Sequence, residues 1–251
     1  MKPMLIVILI ISVIGNAVGL FAAYKAFRYR EALNQFQVYN KNLVSNYEAL
    51  KSDFPGASVY TDDNHRLLSE LSADDRKKMT VMFGASITKG FDPGKYLPGK
   101  KIINRGVGSQ SNTQLLTRFS SDVLQLAPGQ VVLKFCSGNF TPQLDSCMMW
   151  DEFETMALTA QRKGIKPLLA TILPATKGAE HYVNYKMADN IKLFNDKIRN
   201  LASAHNFPVV DYYKALANSD GFLPDSLARD EIHPNEKGYE IMASVLSPLV
   251  N

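Results

Sequence analysis

The chain has 251 residues, 46% of them hydrophobic and 21% charged, with 15 Gly and 12 Pro; such a composition excludes disordered, collagen-like and low-complexity classes. Lys and Arg number 28 against 24 Asp and Glu, and the resulting +4 is scattered along the chain with no basic cluster among aromatics, so no nucleic-acid partner is expected. The two cysteines, Cys136 and Cys147, are too few for a disulfide framework and fit no zinc spacing; Cys136 ends an apolar run and reads as a buried thiol.

From Met4 to Ala23 no residue is charged. A helix of about 20 residues spans ~30 Å, the hydrocarbon thickness of a bilayer. The run exceeds the ~7–15 residues usual for the apolar core of a cleaved secretory signal. Residues 1–25 therefore read as an uncleaved transmembrane anchor, with a signal peptide ending near Ala22-Ala23 as the alternative. Lys2 flanks one end and Lys25, Arg28 and Arg30 the other. The positive-inside rule leans only slightly towards a cytoplasmic body, so a single-pass membrane location is expected with the side left open.

Residues 26–75 read as a helical stalk and linker. Leu33, Phe36, Tyr39, Leu43, Tyr47 and Leu50 recur at helical spacing on one face, and Pro55-Gly56 ends the pattern. That face can pack on its own domain or along the membrane, which is the simpler reading, or join two copies as a short coiled coil and make a homo-oligomer.

Residues 76–251 form the third segment, where short apolar runs alternate with helix-length stretches. Strands are expected at Thr80–Phe83, Lys101–Asn104, Val131–Cys136, Leu168–Ile172 and Pro208–Val210. Crossover helices are expected over Asn112–Leu126, Trp150–Lys163 and Ala188–His205. This alternation predicts a mostly parallel sheet covered on both faces, whose ligands bind beyond the C-terminal ends of the strands.

Four polar pieces stand at or beyond those ends. Gly84-Ala85-Ser86 allows a tight strand-to-helix turn with the serine at its apex, although a serine there is more commonly a helix cap. Asn104-Arg105-Gly106-Val107-Gly108-Ser109 supplies backbone N–H groups that can converge on an anion, without the lysine or third glycine of a phosphate loop. Ser137-Gly138-Asn139 can aim a side-chain amide into the cleft. Asp230-Glu231-Ile232-His233 places a carboxylate within reach of an imidazole. The remaining histidines, His65, His181 and His205, are scattered and suggest no metal site.

Taken in order and spacing, these pieces resemble the blocks of the SGNH hydrolases, also called the GDSL esterase/lipase superfamily, over roughly residues 79–245. The resemblance implies an α/β fold, a flavodoxin-like three-layer sandwich around a five-stranded, mostly parallel sheet, here preceded by a transmembrane helix. It also implies ester hydrolysis with no cofactor and no metal. By position, Ser86 resembles the nucleophile, His233 the general base and Asp230 its orienting partner. The oxyanion hole would comprise the Ser86 N–H, the Ser109 N–H and the Asn139 side chain, with a one-residue shift returning the loop donor to Gly108. Two positions depart from the family: Ala85 stands where Asp usually precedes the serine, and Phe140 where Asp usually follows the asparagine.

The expected partner is a small-molecule, lipid or glycan ester. Short-chain acyl esters or lysophospholipids come first, O-acetyl groups of an envelope polysaccharide second, and an inactive membrane-anchored binding or structural protein is the reading of another class. Phe140, Pro142, Leu144, Met148, Met149 and Trp150 read equally as an acyl pocket or as helix packing. The loop Pro174–Lys186 offers Lys177, His181, Tyr182, Tyr185 and Lys186 to an alcohol or headgroup.

Overall fold

The computed structural model describes residues 3–144 and 146–250. The chain divides into two units, Met1–Ser52 and Asp53–Asn251. The first is one helix, α1 (Pro3–Ser52), and a helix of 50 residues is ~75 Å long. It is long and apolar enough to cross a membrane. The apolar run and the amphipathic segment are continuous because no Gly or Pro stands between Gly19 and Pro55. Leu33, Phe36, Tyr39, Leu43 and Tyr47 are all exposed; Lys2 and the side chain of Leu50 lie outside the described residues.

The second unit begins at Asp53, well before the boundary at residue 76 expected from the sequence. The segment assigned to a linker holds two helices, α2 (Thr61–Glu70) and α3 (Ala73–Lys77). Leu67 of α2 joins the core, and Asn64 is buried. There follow β1 (Thr80–Gly84), α4 (Ser86–Gly90), α5 (Pro93–Tyr96), β2 (Ile102–Gly106), α6 (Asn112–Phe119) and β3 (Gln130–Lys134). The chain continues through α7 (Ser146–Arg162), β4 (Lys166–Ala170), α8 (Met187–His205), β5 (Val209–Val210), α9 (Tyr212–Leu216) and α10 (Glu236–Leu246).

The five strands form one sheet in the order β2-β1-β3-β4-β5, and every pairing is parallel. Successive side chains of a strand face opposite ways, so each strand feeds two cores. Val81, Phe83, Leu133 and Leu169 pack with Leu115, Phe153, Met156, Phe194 and Ile198 from α6, α7 and α8. Met82, Val132, Leu168 and Ala170 pack with Tyr212, Leu216, Met242 and Leu246 from α9 and α10. The result is the expected three-layer sandwich. All five residues of β1 are buried, as a central strand covered on both faces requires.

The helix expected over Asn112–Leu126 departs from regularity at its end. After α6 a π-helical turn, Ser120–Leu124, swings Asp122 inward until it is fully buried. Register aligns the strand ends: Gly84 lies level with Gly106 on one side and with Lys134 on the other. The segments that follow these three residues therefore leave the sheet together, at one end of it.

Candidate active site

The turn after β1 is shaped by a close approach. A Cβ on Gly84 would come within 2.3 Å of the Thr88 hydroxyl and 2.6 Å of the Lys134 carbonyl oxygen, so only glycine fits there. Two residues on, Ser86 opens α4, where the first backbone N–H groups of a helix have no partner within it. The Ser86 N–H meets no acceptor among the described residues.

The Ser86 hydroxyl lies 2.8 Å from His233 Nε2. His233 Nδ1 lies 2.8 Å from one carboxylate oxygen of Asp230 and 3.0 Å from the other. That carboxylate fixes the Nδ1 proton, leaving Nε2 to accept from the serine. Asp230 also accepts from the backbone N–H of Ile232 at 3.1 Å and of His233 at 2.9 Å. Partial burial pushes its pKa up, but these N–H groups and the imidazole outweigh burial and bring it down to about 2. The turn is closed by Arg229 N–H donating to the His233 carbonyl at 2.9 Å and a bridge between Ala228 and Pro234. Asn235 then caps α10 through the Gly238 N–H.

The loop after β2 reaches the other side of the serine. Ser109 sits at φ +61°, a left-handed conformation that costs a non-glycine residue ~1 kcal/mol, and its N–H meets no acceptor among the described residues. Asn139, in the turn after β3, donates its amide to Asn112 Oδ1 at 3.0 Å and reaches the Gln110 carbonyl oxygen at 3.4 Å. Cys136 places its sulfur 3.7 Å from the Ser86 hydroxyl. Cys136 is buried and Cys147 exposed.

All five site residues expected from the sequence thus stand at the C-terminal end of one parallel sheet. The sequence model of the GDSL-like lipase/acylhydrolase family matches residues 82–241, a span that contains every one of them. The chain belongs to this family. A GDSL-like lipase from Bacteroides thetaiotaomicron shares 25% identity over 78% of this chain and 98% of its own, with a TM-score of 0.70. The acetyl xylan esterase AlAXEase shares 24% identity over 69% of this chain and 100% of its own, with a TM-score of 0.56. The uncharacterized lipoprotein YqeF of Bacillus subtilis is 24% identical over 140 residues, 48% of this chain and 58% of the relative.

In this GDSL hydrolase the apolar stretch after Asn139 divides. Phe140 and Met149 are core residues, and the Phe140 ring meets Phe194 edge-on at 5.4 Å. Trp150 packs on Phe153 and Phe194, whereas Met148 is exposed. Helix packing accounts for most of the stretch, and the side chain at the family's second acidic position has become part of the core.

The structure also shows residues that sequence reasoning passed over. Arg118 and Asp122, four apart in the chain, are both fully buried and lie 2.6 Å from each other. Arg118 donates to the carbonyl oxygens of Gly84 and Arg105, each at 2.9 Å, and to the Gln110 side chain at 2.6 Å. One guanidinium thus holds the last residue of β1, the end of β2 and the loop beyond Ser109. The apolar neighbours of Arg118 at Leu115 and Phe119 were the only sequence signal that it faces inward.

Proposed function

We propose that this ester hydrolase cleaves short-chain acyl esters or lysophospholipids through an acyl-enzyme on Ser86. The observation that supports the reading most is the unbroken relay Ser86–His233–Asp230, with 2.8 Å at each link. His233 Nε2 takes the Ser86 proton as the oxygen attacks the ester carbonyl, and Asp230 stabilises the imidazolium that forms. Negative charge on the tetrahedral oxygen is met by the N–H groups of Ser86 and Ser109 and by the amide of Asn139, through the N–H that otherwise makes only the long 3.4 Å contact to the Gln110 carbonyl oxygen. Donors already in place need no reorganisation as charge develops, which is why each is worth ~3 kcal/mol in the transition state. His233 then returns the proton to the leaving alcohol and activates the water that releases the acid.

Residues 1–25 act in this reading as a single-pass anchor, which places the hydrolase beside both lipid esters and envelope glycans. Removal of O-acetyl groups from an envelope polysaccharide is the second reading. Its support is an open cleft of ≈ 290 Å³ beside Asp230, where Thr176, Asp225, Arg229 and Glu231 offer side chains that can hydrogen-bond a sugar.

The test is hydrolysis of p-nitrophenyl esters with two, four, eight and twelve acyl carbons by the full chain in detergent, with Ser86→Ala alongside. Loss of kcat by about 10⁴-fold or more in the variant is expected, and the chain-length optimum separates an acetyl-sized site from a lipid-sized one. Absence of turnover together with absence of fluorophosphonate labelling would count against a competent triad and favour an inactive, membrane-anchored binding or structural protein.

A further inference from the structure

The first residues of the globular unit pack against the back of the loop that carries Ser109. The Phe54 carbonyl oxygen accepts from Gln114 Nε2 at 2.7 Å, and the Pro55 carbonyl oxygen from Gln110 Nε2 at 2.7 Å. Tyr60 donates its hydroxyl to the Gly106 carbonyl oxygen at 2.6 Å. Arg105, itself buried, donates to Asp63 at 2.7 Å and to Asn64 at 2.9 Å, and Asn64 donates on to Asp122 at 2.9 Å. Segment 53–64 therefore touches the loop before, behind and after Ser109.

These bonds converge on Gln110. Its side-chain oxygen accepts from Arg118, its side-chain nitrogen donates to Pro55, and its backbone oxygen faces the Asn139 amide at 3.4 Å. It follows Ser109 directly, so it is bonded to one oxyanion donor and beside another. Gln110 is nearly fully buried, and no part of it is needed for bond making or breaking.

We propose that segment 53–64 is a built-in brace for the oxyanion loop, and that Gln110 is the positioning residue through which it acts. The inference rests on the reading of Ser109 and Asn139 as oxyanion donors. Its physical basis is that Ser109 occupies a left-handed conformation, which persists only where its surroundings enforce it. A displacement of ~1 Å at such a site can cost ~100-fold in rate.

Two variants approach the contact from opposite sides. Gln110→Glu keeps the acceptor for Arg118 and removes the donor to Pro55. Gly56→Ala leaves Gln110 in place, but its new Cβ would stand 2.7 Å from Gln110 Nε2, at a residue with φ +65°, and so pushes the amide off Pro55. Each is assayed in the full chain in detergent for kcat and KM on p-nitrophenyl butyrate, per site titrated with fluorophosphonate, and for hydrogen exchange over residues 106–111. The expected result is a kcat lowered about tenfold or more with KM within about twofold, and faster exchange in that segment.

A brace that served stability alone would lower the melting temperature and the titratable fraction while leaving kcat per titrated site unchanged. That outcome overturns the proposal. If the wild-type chain neither labels nor turns over, it is the hydrolase reading that fails; exchange then decides the brace separately, and unchanged exchange at 106–111 in both variants overturns it.

Discussion

The two sides of the serine are built in opposite ways. On one side, Asp230 and His233 lie three residues apart on a turn, and Asp230 is held by N–H groups two and three residues away. The Asp230 side chain is 46% exposed. On the other side, Ser109 and Asn139 depend on Gln110, Arg118 and Asp122, groups that are nearly or fully buried and held by bonds that reach across as many as 58 residues of sequence. The difference separates two tasks. A carboxylate that orients an imidazole can be served by a local turn open to water. Donors for an oxyanion must be fixed before charge appears, and here that fixing comes from a network deep in the fold. Substitutions on the first side should therefore cost activity and little stability, and those at the root of the second side should cost stability as well as activity.

On the two sides of the serine, the largest effect is expected at Asp230. Asp230→Asn should keep the fold and lower kcat by about 10³- to 10⁴-fold, since the imidazole loses the group that selects its tautomer. Its stability effect has a defined sign. The folded-state pKa of about 2 lies below the ordinary carboxylate value of 3.8, so the charged carboxylate contributes stability above about pH 4 and loses it as pH falls towards 2. The difference in melting temperature between wild type and Asp230→Asn should shrink across that window; a difference that stayed constant would show that the turn does not depend on the charge. Arg118→Met tests the other side. It leaves Asp122, fully buried, without its cation, and urea unfolding should register a loss of about 3–5 kcal/mol. A loss below ~1 kcal/mol would remove the network as the root of that side. Asn139→Ala comes next: removal of one side-chain donor should lower kcat by about 10²- to 10³-fold with the unfolding midpoint hardly moved. Equal losses in kcat/KM and stability there would erase the distinction between the two sides.

The same contrast explains what the sequence revealed. The Asp–His turn was legible because its partners are three residues apart, and the strand order of chemistry followed from polar residues placed just after apolar runs. The five strands and the sandwich were legible for the same reason, since periodicity is a local property. Arg118, Asp122, Asn64 and Arg105 were not. Their burial exists only because α2 and the turn after α6 close over them, and no spacing in the sequence marks a contact between Asn64 and Asp122. The unit boundary was misplaced from the same cause: residues 53–75 are polar enough to read as a linker, and what incorporates them is the pairing of Asp63 and Asn64 with Arg105. The αL conformation of Ser109 was likewise invisible, because serine does not announce it as glycine would.

Lys134 combines the two patterns, being buried like the network while its ammonium, among the described residues, bonds only to the next residue. It ends β3 beside Gly84, and its ammonium donates to the Phe135 carbonyl oxygen at 3.0 Å. No carboxylate pairs with it among the described residues, and burial pulls its pKa down from 10.5 to about 8, with Cys136 opposing the fall. In the unfolded chain the lysine keeps its proton up to about pH 10.4. Between about pH 8 and 10.4 the unfolded state therefore binds more protons than the folded one, and stability rises with pH. Below pH 8 the fold carries a buried cation at a cost on the order of 3 kcal/mol. Lys134→Met, similar in length and apolar, should raise the unfolding free energy at pH 7, and the gain should fade as pH approaches 10. If the gain were absent at pH 7, or independent of pH, the ammonium must find compensation from groups around it. The local hydrogen bond to Phe135 would then be one part of a long-range arrangement, like the one built on Arg118.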